Sequence, residues 1–166
     1  KQKTAYEIPK RDWSSDVCSS DLNASTVRLL NQIGYEVVVP KDQVCCGALH
    51  AHSGRLEQAR EQARKNIEAF SAAKVNLIVI NAAGCGSTLK EYGHLLEGDP
   101  KFSESAREFS KRVVDLTEIL ATNPIDVNPR LATLRTTYHD ACHLAHAQRD
   151  RKSTRLNSSH VSESRM

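Results

Sequence analysis

Residues Val75-Asn76-Leu77-Ile78-Val79-Ile80, running straight into Asn81-Ala82-Ala83-Gly84-Cys85-Gly86, decide how this chain folds. The first six are almost continuously apolar and rich in β-branched side chains. A run of strand length without polar alternation suits a strand buried on both faces in a parallel sheet. A glycine-flanked cysteine then stands at its carboxyl end. In open α/β sheets, ligand sites gather in loops beyond the carboxyl ends of the strands. The strand that predicts the fold therefore also predicts where the chemistry lies.

Working upstream, residues 55–73 carry Leu56, Ala59, Ala63, Ile67 and Phe70 at helical spacing, with charged and amide residues between them. Before that helix comes a loop, 41–54, holding Cys45-Cys46-Gly47. Tyr35-Glu36-Val37-Val38-Val39-Pro40 reads as a short strand stopped by proline. Residues 25–33 form an amphipathic helix ending at Gly34. Downstream, 81–86 reads as a tight loop and 87–96 as a helix. Asp99-Pro100 breaks the chain, and 102–120 reads as one amphipathic helix bearing Phe102, Ala106, Phe109, Val113, Leu116 and Leu120. A proline-containing linker, 123–129, leads to a short strand at 134–138 and then to His139-Asp140-Ala141-Cys142-His143. Alternating helices and strands predict an α/β fold, a Rossmann-like parallel sheet flanked by helices. Both cysteine loops follow strands, so the pattern puts Cys45, Cys46 and Cys85 on one rim of one sheet.

Adjacent cysteines present two thiolates to one centre better than they staple a fold. Thiolates are soft ligands that suit iron–sulfur clusters and zinc, and clusters are usually held by four cysteines. Three are in view here, so a fourth ligand is needed. Backbone N–H groups at a helix start favour anionic sulfur, and Gly84-Cys85-Gly86 precedes the 87–96 helix. Three other readings stand beside a cluster. Free cysteines are often small buried hydrophobes. Zinc could take His50 or His52 as fourth ligand. Cys142 could form a separate metal site with His139, His143 or His146. Lys90-Glu91-Tyr92 reads as helix surface. Gly84-Cys85-Gly86-Ser87-Thr88 lacks the spacing and the lysine of a phosphate loop. No residue is assigned as acid, base or nucleophile.

The chain has 166 residues, 39% hydrophobic and 26% charged, with a net charge of +3. That is ordinary for a globular domain with a real core, and too small and dispersed a charge to predict a nucleic-acid partner. No apolar run approaches the ~20 residues that span a bilayer. Residues 1–11 show no apolar core of a secretory leader. The five cysteines then read as reduced thiols or metal ligands, not a disulfide framework.

Two segments read as foreign. Residues 12–22 (DWSSDVCSSDL) and 150–166 (DRKSTRLNSSHVSESRM) are polar and patternless. A back-translation of 12–22 has a reverse complement that encodes residues 150–159. Segments of one natural protein should not be antisense copies of each other, and the shared nucleotide string resembles a sequencing-library adapter. Cys18 is accidental on this reading. The domain organisation is then a native remnant of uncertain extent at 1–11, adapter sequence at 12–22, a first cysteine-rich domain at 23–122, a linker and the start of a second repeat at 123–149, and adapter sequence at 150–166.

Taken together, Cys45-Cys46-Gly47-Ala48-Leu49-His50, Ala83-Gly84-Cys85-Gly86 and Lys90-Glu91-Tyr92-Gly93 resemble the cysteine-rich CCG domain of the glycolate oxidase iron–sulfur subunit family. Asn23-Ala24-Ser25-Thr26-Val27-Arg28-Leu29-Leu30 resembles the helix before its first box. His139-Asp140-Ala141-Cys142-His143-Leu144-Ala145-His146-Ala147-Gln148 resembles the opening of its second repeat. Lactate-utilisation iron–sulfur proteins and the heterodisulfide reductase B subunit share the pattern more loosely. The resemblance implies one nearly complete CCG repeat plus the start of a second. It implies an electron-transfer subunit, cytoplasmic and peripheral to the inner membrane, that works beside flavoprotein subunits oxidising glycolate and is not catalytic alone. It implies a 4Fe–4S cluster on Cys45, Cys46 and Cys85, with Cys142 serving a second site. The family places a further cysteine upstream, at the end of a strand. The corresponding position falls near Trp13, inside the foreign segment, so that ligand reads as overwritten. The heterodisulfide reductase form carries a second cysteine where Ala82 stands here. A zinc-stabilised, non-redox domain is the alternative from another class. Resequencing the source DNA is expected to show neither foreign segment; an uninterrupted native gene encoding both would overturn that reading.

Overall fold

The computed structural model describes residues 2–6, 19–123, 125 and 141–148. Four strands, β1 (Gln2–Tyr6), β2 (Tyr35–Val38), β3 (Leu77–Ile80) and β4 (Val113–Asp115), form one sheet in the order β2-β1-β3-β4. Every neighbouring pair is parallel, with Thr4 opposite both Val37 and Leu77, and Val79 opposite Val114. Parallel neighbours need crossovers, and helices supply them. These are α1 (Ser19–Gln32), α2 (Ala48–His52), α3 (Leu56–Ala72), α4 (Ala83–Lys90), α5 (Tyr92–Leu95), α6 (Ser103–Arg112) and α7 (Leu116–Thr122), followed by a π-helical turn at His143–Ala147.

β3 does what its sequence predicts. Ile78, Val79 and Ile80 are all fully buried, and they divide between the two faces of the sheet. Ile78 and Ile80 join Phe70, Leu89, Tyr92, Leu96 and Phe109 in the larger core, under α3 to α6. Val79 points the other way, with Leu30 of α1 and Ile119 of α7. The larger core is built on aromatic rings: Phe70 meets Phe109 edge-on at 5.6 Å, and Tyr92 stacks on Phe109 at 5.3 Å.

Four expectations change. The 102–120 stretch is not one helix: α6 ends at Arg112, and Val113–Asp115 becomes the edge strand β4. Two adjacent β-branched residues favour the sheet, and Asp115 then restarts the chain as a helix cap. Its side chain accepts the Thr117 N–H at 2.9 Å, while Glu118 accepts the Asp115 N–H at 3.0 Å. The apolar period of the stretch survives because strand and helices share one core. The 87–96 helix divides at Glu91 into α4 and α5. The 41–54 loop contains the short helix α2. The 1–11 segment, read only as a remnant, supplies the inner strand β1. The strand expected at 134–138, most of the 123–129 linker, His139 and Cys18 lie outside the described residues.

Phe109→Ala removes a ring that two other aromatics pack against. It is expected to lower unfolding free energy by about 3–5 kcal/mol in denaturant titration; a loss below about 1 kcal/mol would show that this cluster does not hold the domain.

Candidate metal centre

Cys45 and Cys46 lie just beyond β2, and Cys85 lies just beyond β3. Between these two strands sits only β1, so both segments leave the same rim of the sheet. The sequence predicts Cys85 on a loop ahead of a helix. The structure instead puts it in the first turn of α4, which begins at Ala83.

The three cysteines come together. Cys46 belongs to the larger core, Cys45 and Cys85 pack against that core, and both act on the protonation of the Cys46 thiol. Cys46 is buried, and its two neighbours are half-buried. The Cys45 thiol is pushed far above the ordinary range by its hydrogen bond with Cys46 and by burial, against the Gly47 N–H, which favours the anion. For Cys46 the Cys45 contact works downward. Its hydrogen bond with Cys85 and its burial outweigh that and push it up to about 12. Without a cation Cys45 and Cys46 are therefore protonated at neutral pH, and a cation binding them must displace their protons.

Two fully buried polar side chains hold this pair from below. Asn66 of α3 accepts the Val44 N–H at 2.8 Å and donates to the Cys45 carbonyl at 3.2 Å. It also donates to the Tyr92 hydroxyl at 3.0 Å, and that hydroxyl donates to the Cys46 carbonyl at 2.9 Å. Both residues are 0% exposed. Burying an amide and a phenol costs free energy unless both are satisfied, and here their partners are the backbone of 44–46. The reading of Tyr92 as helix surface is thus corrected. It packs on Phe109 and reaches the cysteine loop, while Lys90 pairs with Glu118 at 2.7 Å. One sequence signal pointed to Asn66: it falls on the apolar stripe of α3, between Ala63 and Ile67.

The glycines of the two boxes have separate reasons. Gly47 caps α2 with φ +86°, and a Cβ there would sit 3.3 Å from the Ala59 backbone. At Gly86 a Cβ would come within 2.9 Å of Ile80 and 2.7 Å of Gln148. That second contact belongs to the 141–148 segment. Its π turn packs on α4, Gln148 donates to the Ala83 carbonyl at 3.0 Å, and His143 Nδ1 lies 3.5 Å from Ser87 Oγ.

Of the ligand candidates that the sequence offers, the structure brings together Cys45, Cys46 and Cys85. Cys142 is exposed at the start of the π turn. His50 lies close enough to Cys45 to act on its charge. His52 and His143 approach each other, with ring centres 6.4 Å apart. Among the described residues, no group of three or more Cys, His, Asp or Glu is already arranged around a point an ion could occupy. The donor set therefore fits an iron–sulfur or zinc centre in kind, as soft sulfur, and falls one short of four in number.

Residues 13–90 match the family profile described as CCG, cysteine-rich domain. Over 126 residues the chain is 42% identical to the "Probable glycolate oxidase iron-sulfur subunit" of Bacillus subtilis (strain 168), covering 74% of this chain and 28% of that protein. It is 34% identical to the glycolate oxidase iron-sulfur subunit of Escherichia coli (strain K12), covering 79% and 33%. It is also 34% identical to Lactate utilization protein A of Geobacillus thermodenitrificans (strain NG80-2), covering 78% and 54%. The chain thus spans about a third or less of the first two relatives and about half of the third. No solved structure matches.

Asn66→Ala strips partners from the Val44 N–H, the Cys45 carbonyl and the Tyr92 hydroxyl. At roughly 1–3 kcal/mol for a buried group left unsatisfied, thermal and denaturant melts should show a loss of about 3 kcal/mol. An unchanged melt would mean the junction contributes nothing to the fold.

Proposed function

We propose that this chain, which belongs to the CCG cysteine-rich domain family, is a piece of an iron–sulfur electron-transfer subunit, with Cys45, Cys46 and Cys85 as ligands of one cluster. The observation that carries this reading is the gathering of the three cysteines at one rim of the sheet, around one core. The similarity to iron-sulfur subunits of glycolate oxidases supports it. When bound, such a cluster supplies one-electron transfer. The chain's own residues Cys45, Cys46 and Cys85 would bind it through sulfur. Asn66 and Tyr92 fix the cysteine backbone.

The finer reading is a 4Fe–4S cluster in a glycolate oxidase complex, receiving electrons from flavoprotein subunits at the inner face of the membrane. No helix among the described residues is long and apolar enough to cross a membrane, so the reading places membrane association in the complex. The missing fourth thiolate would be the upstream cysteine displaced by the foreign segment at 12–22, and Cys142 would serve a second centre. A lactate-utilisation role draws on the same similarity. A heterodisulfide reductase-like role would want a second thiol where Ala82 stands. A zinc-stabilised domain is favoured only by the nearness of His50 to Cys45.

The test is anaerobic reconstitution of the full-length native protein, repaired from its source gene, followed by iron, acid-labile sulfide and zinc analysis and EPR. Iron and sulfide in comparable amounts, with a paramagnetic signal in one redox state, are expected. Zinc without iron would overturn the electron-transfer reading.

A further inference from the structure

Helix α4 carries Cys85 on a first turn that its local sequence does little to hold. Ala82 stands at the cap position, and no side chain caps the helix. A helix start leaves four backbone N–H groups without partners inside the helix, and a capping side chain ordinarily answers one of them. Gly84 and Gly86 flank the cysteine, and glycine is among the poorest helix formers. The helix is only eight residues long, and short helices depend on tertiary packing. Inside it, the Gly84 carbonyl accepts Ser87 Oγ at 2.9 Å and Thr88 Oγ1 at 3.2 Å. The Ala83 carbonyl takes a donor from sixty-five residues away: Gln148 Nε2, at 3.0 Å. The same amide lies over Gly86, 2.7 Å from where a Cβ would stand. Its segment is seated firmly, with Leu144 and Ala145 buried and the π turn packed on α4. A glutamine kept only for solubility would leave its amide in water. This one is drawn inside: its Oε1 is buried and meets no donor among the described residues, so the Ala83 carbonyl is the polar contact for which the amide leaves water.

We infer that Gln148 is a positioning residue for Cys85, clamping the uncapped first turn of α4 from the 141–148 segment. The positioning stands on geometry alone, and its consequence at a cluster rests on the iron–sulfur reading. A peptide unit is planar, so anchoring the Ala83 carbonyl fixes the plane that leads into Gly84, and the Cys85 backbone follows from there. The clamp comes from the segment that also bears Cys142. The placing of Cys85 therefore depends on the seating of that segment. Contacts that orient a metal ligand from outside the ligand set typically cost about tenfold or more in metal affinity when removed.

The test compares wild type with Gln148→Met, which keeps bulk over Gly86 and loses the donor, and with Gln148→Ala, which loses both. In the metal-free chain, amide hydrogen exchange by NMR should show the Gly86 N–H, bonded to the Ala82 carbonyl at 2.8 Å, protected in wild type. Both variants should speed its exchange roughly tenfold or more, with the amides of β3 and α3 unchanged. The Cys85 Cβ resonance should move in both, which a bond that merely seats the 141–148 segment would not bring about. In the reconstituted full-length protein, a chelator should strip iron from Gln148→Met about threefold faster than from wild type, or faster still. A Gly86 amide that exchanges in wild type as fast as an exposed one overturns the inference. So does an amide or a Cys85 resonance indifferent to Gln148→Met, or equal iron loss. Failure of the wild type to take up iron would sink the iron–sulfur reading and leave the exchange arm to decide the positioning. Should both variants fail to fold, wild type decides: nuclear Overhauser contacts between the Gln148 side-chain amide and the Gly86 α-protons are expected, and their absence counts against the inference.

Discussion

Everything at the sulfur end of this molecule hangs on one buried polar junction, where Asn66 and Tyr92 meet under the cysteine pair. Two side chains with no exposure commit their hydrogen-bonding capacity to each other and to the backbone from Val44 to Cys46. Low-dielectric surroundings strengthen such a network and also make any missing member costly. That is why a segment without regular structure of its own can hold two neighbouring thiols in a fixed place. The junction also couples the site to the core. Tyr92 stacks on Phe109, which meets Phe70 of the same helix that carries Asn66.

The sheet supplies the other constraint. β3 is buried on both faces, so its direction and register are fixed by two cores at once. α4 leaves its carboxyl end immediately and carries Cys85 in the first turn. The close approach at Gly86 lets this helix lie against Ile80 on one side and Gln148 on the other. The 141–148 segment therefore seats itself against α4, the helix that carries Cys85, through the Gln148 and His143 contacts. In the proposed function, that packing would keep two centres in one assembly.

Much of this was legible in the sequence because it rests on period and composition. An uninterrupted apolar run predicted β3, helical spacing predicted α3, and two cysteine boxes after two strands predicted a shared rim. What was not legible depends on tertiary context. Val113 and Val114 fit the apolar period of a helix, and only the open sheet edge and the Asp115 cap make them a strand. Tyr92 beside Lys90 and Glu91 looks like helix surface until α4 and α5 are seen to divide at Glu91. Asn66 on an apolar stripe was a visible anomaly, but its partners lie more than twenty residues away in the chain. The central place of β1 could not be read from a segment with no apolar run and no link to the rest.

The central claim is that Cys45, Cys46 and Cys85 form one centre. Burial and the raised Cys45 and Cys46 thiols already slow alkylation without metal, so protection of the cysteines is no measure of loading. The most direct measurement is the bound iron and EPR signal of the full-length protein after anaerobic loading with iron and sulfide, wild type beside the Cys45→Ala, Cys46→Ala and Cys85→Ala variants. The account predicts that each variant loses the same bound iron and the same EPR signal. Iron content and signal left intact by any one of the three would contradict it.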